Sequence, residues 1–335
     1  MIWLLWRQHR GQWLFIIGGM VLVAAIVVAT GVTIHRGFAE SGLAECLAGM
    51  PPAMTGPVAA HCADLAQMFL DQHGQRALFV GLALPLVPLL FGVAVGTQLV
   101  ADDVDHGTHR LVWTQSVTRR RWLAVKLGLA GAAAAVVAGG FGMLGQWLLT
   151  PVVRAGASRL LFTDMMGATP VTYAFFAVAL GAFTGAVWRK VPPAIAATLF
   201  GFILARLAVR QVRPNLLPPM ERVLPTRWDP AEVPLGEPTW LRLNGDWVLS
   251  AGMYDAEGRL LNDTGMQFCP SPEPPAGQWQ GPPCELPELA PVDHNLMLYH
   301  PDSRFWTFQL IEIAIFAGLA ALLIFLTVRR VDRMT

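Results

Sequence analysis

The chain has 335 residues, of which 54% are hydrophobic and only 14% charged, and its formal net charge is +1. Soluble domains carry about 25% charged residues, so a water-soluble fold of ordinary composition is excluded. A charge so near zero also argues against nucleic acid as a partner.

Taken in chain order, the apolar runs predict six membrane-spanning helices, each near the ~20 residues that cross a ~30 Å hydrocarbon core. Residues 1–12, with Trp3, Leu4, Trp6, Arg7 and Arg10, suit a short amphipathic elbow helix in the interface, or an extension of the first span. The first span, 13–34, is longer than the apolar stretch of a signal peptide and is read as retained. A loop, 35–76, carries Cys46 and Cys62; the second span, 77–101, contains Pro85 and Pro88 and should kink there. A polar loop, 102–121, precedes the third span, 122–150, in which Gly131, Ala135 and Gly139 recur at helical spacing. The fourth span, 171–187, contains Gly181 and Gly185, a pair that lets helices approach closely. The fifth, 192–209, leads into a proline-rich segment, 210–303, with Cys269 and Cys284. Strand-like alternation over 240–250 and a turn at Asp255–Ala256–Glu257–Gly258 predict some β structure in it. The sixth span, 305–328, ends in a short tail, so that residues 304–335 form the last unit. The fold class is an all-α polytopic membrane protein with a small disulfide-linked, β-containing extracellular cap between helices 5 and 6.

Arginine and lysine near the spans set the orientation. Arg7 and Arg10, Arg110 with Arg119–Arg121 and Lys126, Arg189 with Lys190, and Arg329, Arg330 and Arg333 all fall on one side if both termini are cytoplasmic. Arg154 and Arg159, in the opposite connection, break the pattern. The four cysteines then lie outside, two per segment, where an oxidising compartment favours bridges Cys46–Cys62 and Cys269–Cys284. The predicted location is the cell membrane, multi-pass.

No G-x-x-x-x-G-K-[ST] phosphate loop occurs, and neither Lys126 nor Lys190 follows a glycine-rich turn. Asp102, Asp103, His106 and His109 are read as a solvated loop and helix cap, and no metal is assigned to them. His35, His61 and His73 are scattered and form no catalytic constellation with Glu312. Arg206 stands about fifteen residues into the fifth span, and Glu312 about seven residues into the sixth from the other end. Both fall at similar depth in the outer leaflet, where an ionisable group needs a partner, and an Arg206–Glu312 pair is predicted.

The loop between the second and third spans resembles the cytoplasmic loop of ABC-2-type permeases. Gly107–Thr108, an apolar stretch with Trp113, then Ser116–Val117–Thr118–Arg119 and Lys126 keep that register, the arginine twelve residues after the glycine and the lysine seven later. Ser116 stands where the family usually has proline, and Arg110 where an acidic residue is common. The resemblance implies an exporter permease that moves a drug, antibiotic, peptide or lipid outward by alternating access. Asp103, Gly107, Thr108, Trp113, Arg119 and Lys126 would form its coupling helix to an ATP-binding subunit. It implies a homodimer or a pair with a related permease, and places ATP and magnesium in the partner chain, with no cofactor here. The alternative reading is a receptor or scaffold whose outer segment binds a ligand without transport.

Overall fold

The computed structural model describes residues 2–50, 56–105, 118–228, 243–263, 265–266, 269–270 and 292–333. Among these, six helical segments are long and apolar enough to cross a membrane: Ile17–Glu40, Val58–Asp102, Arg119–Arg154, Thr169–Trp188, Val191–Asn215 and Asp302–Asp332. Their outward faces present Val21, Leu22, Ile26, Phe79, Leu129, Val136, Phe200, Leu207, Leu310 and Leu322. So continuous an apolar exterior suits hydrocarbon and not water.

Helix α1 (Ile2–Glu40) runs unbroken. The separate elbow helix expected at 1–12 is therefore replaced by an extension of the first span, as nothing in Trp3–Gln12 stops the hydrogen-bond ladder: neither proline nor a capping residue interrupts it. At ~1.5 Å per residue the helix is longer than a bilayer core is thick. Its far end continues through the segment expected to be a loop. There α2 (Leu43–Ala48) and the start of α3 (Gly56–Ala83) form a helical hairpin closed by the Cys46–Cys62 disulfide, Cα–Cα 5.6 Å.

The second span bends where its prolines predict: α3 stops before Pro85, and α4 (Leu86–Phe91) begins after it. A π-helical turn, Gly92–Gly96, then leads into α5 (Gln98–Asp105). The remaining long helices are α6 (Arg119–Arg154), α7 (Thr169–Trp188), α8 (Val191–Val212) and α9 (Phe305–Asp332).

Helix α7 is the centre of the bundle. Of its apolar window 61% is buried, against 17–39% in the other five segments, and it packs on α4, α5, α6, α8 and α9. Its glycines explain how. A Cβ on Gly181 would stand 2.6 Å from the Gly92 carbonyl oxygen, and one on Gly185 2.7 Å from that of Thr97. Backbone therefore lies on backbone, and the π turn offers its own glycines, Gly92 and Gly96, to the same seam.

At one end of the bundle, Val100, Trp122, Leu123, Ala186 and Val331 pack together, which gathers α5 with the arginine-rich ends of α6, α7 and α9. At the other end sits a four-stranded antiparallel sheet in the order β1–β6–β3–β4, made of β1 (Met220–Pro225), β3 (Trp247–Tyr254), β4 (Leu260–Asn262) and β6 (His294–His300). A short parallel pair, β2 (Arg227–Trp228) and β5 (Cys269–Pro270), lies beside it. The predicted turn falls between β3 and β4. Asp255 Oδ1 accepts from the Arg259 and Glu257 amides at 2.7 and 3.1 Å, and Gly258 takes φ 77°. The Arg259 amide, with burial opposing it and the Arg259 guanidinium assisting, holds the Asp255 carboxyl below its ordinary range. Cys269 is disulfide-bonded; Cys284 and the proline-dense stretch 271–291 lie outside the described residues.

The cap is seated on the helices it interrupts. His300, fully buried, hydrogen-bonds through Nε2 to the Pro214 carbonyl at 2.9 Å and meets Phe308 edge-on at 4.9 Å. Arg304 donates to the Pro218 carbonyl at 2.6 Å. Thus β1 follows α8, β6 precedes α9, and the two strands pair along Met220↔Tyr299 to Pro225↔His294.

The seam on α7 is testable. Gly181→Val should lower the melting temperature in detergent and the yield of monodisperse protein, consistent with about 3 kcal/mol or more of overpacking. Gly140→Ala, whose Cβ would meet nothing within 4 Å, should be neutral or stabilising by about 0.5–1 kcal/mol.

Candidate functional site

Two clusters of polar residues stand out, one at each end of the bundle. At the arginine-rich end, Thr118 caps α6 by accepting from the Arg121 amide at 3.4 Å. Arg119 donates to the Asp332 carbonyl at 3.1 Å, and Arg120 reaches the Asp332 carboxylate at 2.9 Å. Lys126 donates to the Leu99 carbonyl at 3.0 Å and lies 4.7 Å from the Trp122 ring centroid. The flanks of the 106–117 segment are thereby fastened to α5, α6 and α9. Asp103 lies on α5. Gly107, Thr108 and Trp113 fall outside the described residues.

The second cluster is buried at the capped end. It starts in the connection between α6 and α7, where a 3-10 turn, Arg159–Phe162, is capped by Ser158. Gln309 on α9 pins the next residues to the bundle. Its Nε2 donates to the Thr163 and Met166 carbonyls at 3.1 and 2.9 Å, and its Oε1 accepts from the Ala168 amide at 3.2 Å. Gly167 takes φ +69°, and a Cβ there would sit 2.6 Å from Gln309 Oε1, so no larger residue fits.

This geometry aims Asp164 at two arginines seven residues apart, Arg206 on α8 and Arg213 in the 3-10 turn, Arg213–Asn215, that follows it. Asp164 accepts from Arg206 Nη2 at 2.6 Å and also from Arg213 Nη2. Arg213 Nη2 also donates to Glu312 Oε1 at 2.7 Å. The Arg206 guanidinium covers the Tyr173 ring at 4.0 Å. Asp164, Arg213 and Glu312 are buried, at 6%, 5% and 2% exposure. Two positive and two negative charges balance, which is the condition for keeping such groups out of water. Burial pushes the Asp164 carboxyl up, but Arg206 and Arg213 beside it prevail and hold it below its ordinary range. Tyr173 Oη, Arg206 Nη1, Arg213 Nε and Glu312 Oε2 have no hydrogen-bond partner among the described residues.

The pairing expected between Arg206 and Glu312 is thus corrected. The two share a network but are joined through Asp164 and Arg213, because Asp164 stands nearer to Arg206 and Arg213 occupies the Glu312 oxygen. Sequence reasoning missed Asp164, Arg213 and Gln309. The seven-residue spacing of Arg206 and Arg213 was the available signal. Arg159, anomalous by charge alone, forms a paired fork with Asp302 at the foot of the cap, Nε to Oδ1 2.7 Å, and lies 4.9 Å from the Phe305 ring. Arg154 is exposed in the last turn of α6, where a cation complements the helix dipole.

The family model that matches the chain is described as ABC-2 membrane transporter related and covers residues 17–213, more than half of the 335. No curated protein and no solved structure gives a match. With its six apolar helical segments, the match identifies a multi-pass membrane protein of permease type.

Asp164 is the member whose loss strands the Arg206 guanidinium and leaves Arg213 with Glu312 alone. Asp164→Ala should destabilise the protein by about 3–5 kcal/mol, and Glu312→Gln by less, measured as thermal unfolding in detergent. The depressed Asp164 pKa carries a sign: its stabilisation is present above the ordinary carboxylate range and lost as pH falls through the lowered value. An acid-side loss of stability, absent in Asp164→Asn, is the expected profile.

Proposed function

Since the chain belongs to the ABC-2 membrane transporter related family, we propose that it is the membrane-spanning permease subunit of an exporter powered by a separate ATP-binding subunit. The family match is the observation that carries this reading. The sequence holds no G-x-x-x-x-G-K-[ST] phosphate loop, and in this reading ATP and magnesium belong to the partner. The arginine-rich end faces the cytoplasm with both termini, by the positive-inside rule. The Cys46–Cys62 disulfide at the opposite end supports that direction.

In this reading the segment around Gly107, Thr108 and Trp113, between Asp103 and Arg119, docks on the ATP-binding subunit. Trp113 and its apolar neighbours Leu111 and Val112 are the anchors, as indoles commonly dominate interfaces. What fits this role physically is the anchorage of the flanks. Lys126 on Leu99 and Arg119 and Arg120 on Asp332 tie α5, α6 and α9 into one unit. Movement of the docked segment would pass into these three helices together. Closure of two ATP-binding subunits would then shift two such bundles, from a homodimer or a pair with a related permease, and open a path outward. The chain's residues position and move; they break no bond.

The test is co-expression with a Walker-motif ATP-binding subunit from the same genome. The two should co-purify, and ATP hydrolysis should respond to reconstitution of the permease in lipid. Trp113→Ala should weaken the complex about 30-fold, the scale of a hot-spot residue. Absence of any complex with the parent chain would overturn the reading in favour of a receptor or scaffold; unchanged affinity in the variant would remove Trp113 from the interface.

A further inference from the structure

Between the capped ends of α1 and α3 lies a polar cleft in two adjoining parts of about 470 and 230 Å³, with Thr33 and His73 lining both. Arg36 lines the larger part and Arg76 the smaller. Both arginines are exposed, and among the described residues neither side chain has a hydrogen-bond or ion-pair partner. The cleft is built and not incidental. Gly37 leaves room for the His73 ring, which a Cβ there would strike, and Phe69 backs the ring at 5.0 Å. His73 Nδ1 is buried, with no hydrogen-bond partner among the described residues.

Position in the bilayer gives the cleft its chemistry. Arg36 follows the apolar run of α1 by two residues past Ile34, and Arg76 directly precedes the apolar run that begins at Ala77. Both therefore stand at the boundary of the hydrocarbon, at the depth of the phosphate layer. Below Arg76, three residues on and hence on the same face, Phe79 is 65% exposed. Below Thr33 and Thr30 on the same face of α1 lies exposed Ile26. Glu40 closes the water side of the larger part. Two unpaired guanidinium forks above an apolar track, with one carboxylate beyond them, match a phosphodiester with acyl chains below and a hydrogen-bond donor above.

We propose that this cleft is a binding site for a phospholipid of the leaflet at the capped end. The phosphate sits between Arg36 and Arg76, an acyl chain follows Phe79 and Ile26, and a headgroup amine or hydroxyl reaches Glu40. The proposal does not depend on coupling to an ATPase.

The test uses the full chain reconstituted in nanodiscs of phosphatidylethanolamine and phosphatidylglycerol, then transferred to mild detergent. Native mass spectrometry counts the phospholipid retained. Arg36→Gln combined with Arg76→Gln should lower retention about tenfold, and either single variant should lower it less. Arg154→Gln, an exposed arginine that lines neither part of the cleft, should leave it unchanged. Equal retention by parent and double variant, or an equal fall in Arg154→Gln, overturns the proposal. So does stabilisation by inorganic phosphate alone as great as by the lipid, which would assign the site to a soluble anion.

Discussion

Asp164 holds two guanidinium groups at once, and the capped end of the bundle is arranged around that carboxylate. Carrying an ion out of water costs several kcal/mol even after relaxation, and the loss is offset only when partners are close and well aimed. Here the aim is supplied by backbone. Gln309 clamps Thr163, Met166 and Ala168, and Gly167 supplies the one left-handed turn that brings the clamp under Asp164. Arg213 then carries the charge on to Glu312 on α9. Moving the 163–168 connection would leave Arg206 buried and uncompensated, and Arg213 with Glu312 alone. The network therefore fixes α7, α8 and α9 relative to one another, and the sheet that grows from α8 and α9 inherits a rigid base.

The opposite end is held by weaker means. Arg120 and Asp332 are 76% and 32% exposed, and ion pairs so open to solvent contribute little. Lys126 donates to a backbone carbonyl and lies over the Trp122 ring, and a small apolar cluster around Trp122 and Val331 does the packing. One end of the molecule is stiff by burial of charge and the other is fastened at its surface. A permease driven from the arginine-rich end would work with that asymmetry: that end would yield, and the capped end would serve as the fixed frame.

The spans were legible in the sequence because hydrocarbon imposes a length and a polarity on anything that crosses it. The same signal falls silent at the membrane boundary. Beyond Ile34 and before Ala77 a helix can continue in water without any change that hydropathy records, and so 35–76 read as a loop although α1 and α3 run on through it. The elbow at 1–12 misled for the complementary reason, since Trp and Arg at an interface look alike on a separate helix and on an extended one. Charge raised the right alarm at Arg206 and Glu312, but depth alone cannot name a partner from a connection. Asp164 stands 42 residues from Arg206 and 148 from Glu312 along the chain, and only folding brings the three together. Arg159 looked misplaced because its counterion, Asp302, is 143 residues away.

The two ends are joined by α7, and the character of its contacts decides how rigidly. Side chains packed into grooves can repack by rotamer changes, a little at a time. Where α7 meets the π turn and α5 there is no such slack. Gly181 faces the Gly92 carbonyl, and Gly185 faces that of Thr97. The π turn between α4 and α5 is what brings these glycines into line, since five residues per hydrogen bond rotate the following helix against the α-helical register. Near one end of this seam Tyr173 lies under Arg206. At the other, Ala186 packs with Val100, Trp122 and Val331. Backbone in contact with backbone resists both compression and small rotations. Displacement of α5 at the arginine-rich end must therefore carry α7 with it as a body, toward the charges that Asp164 holds in place.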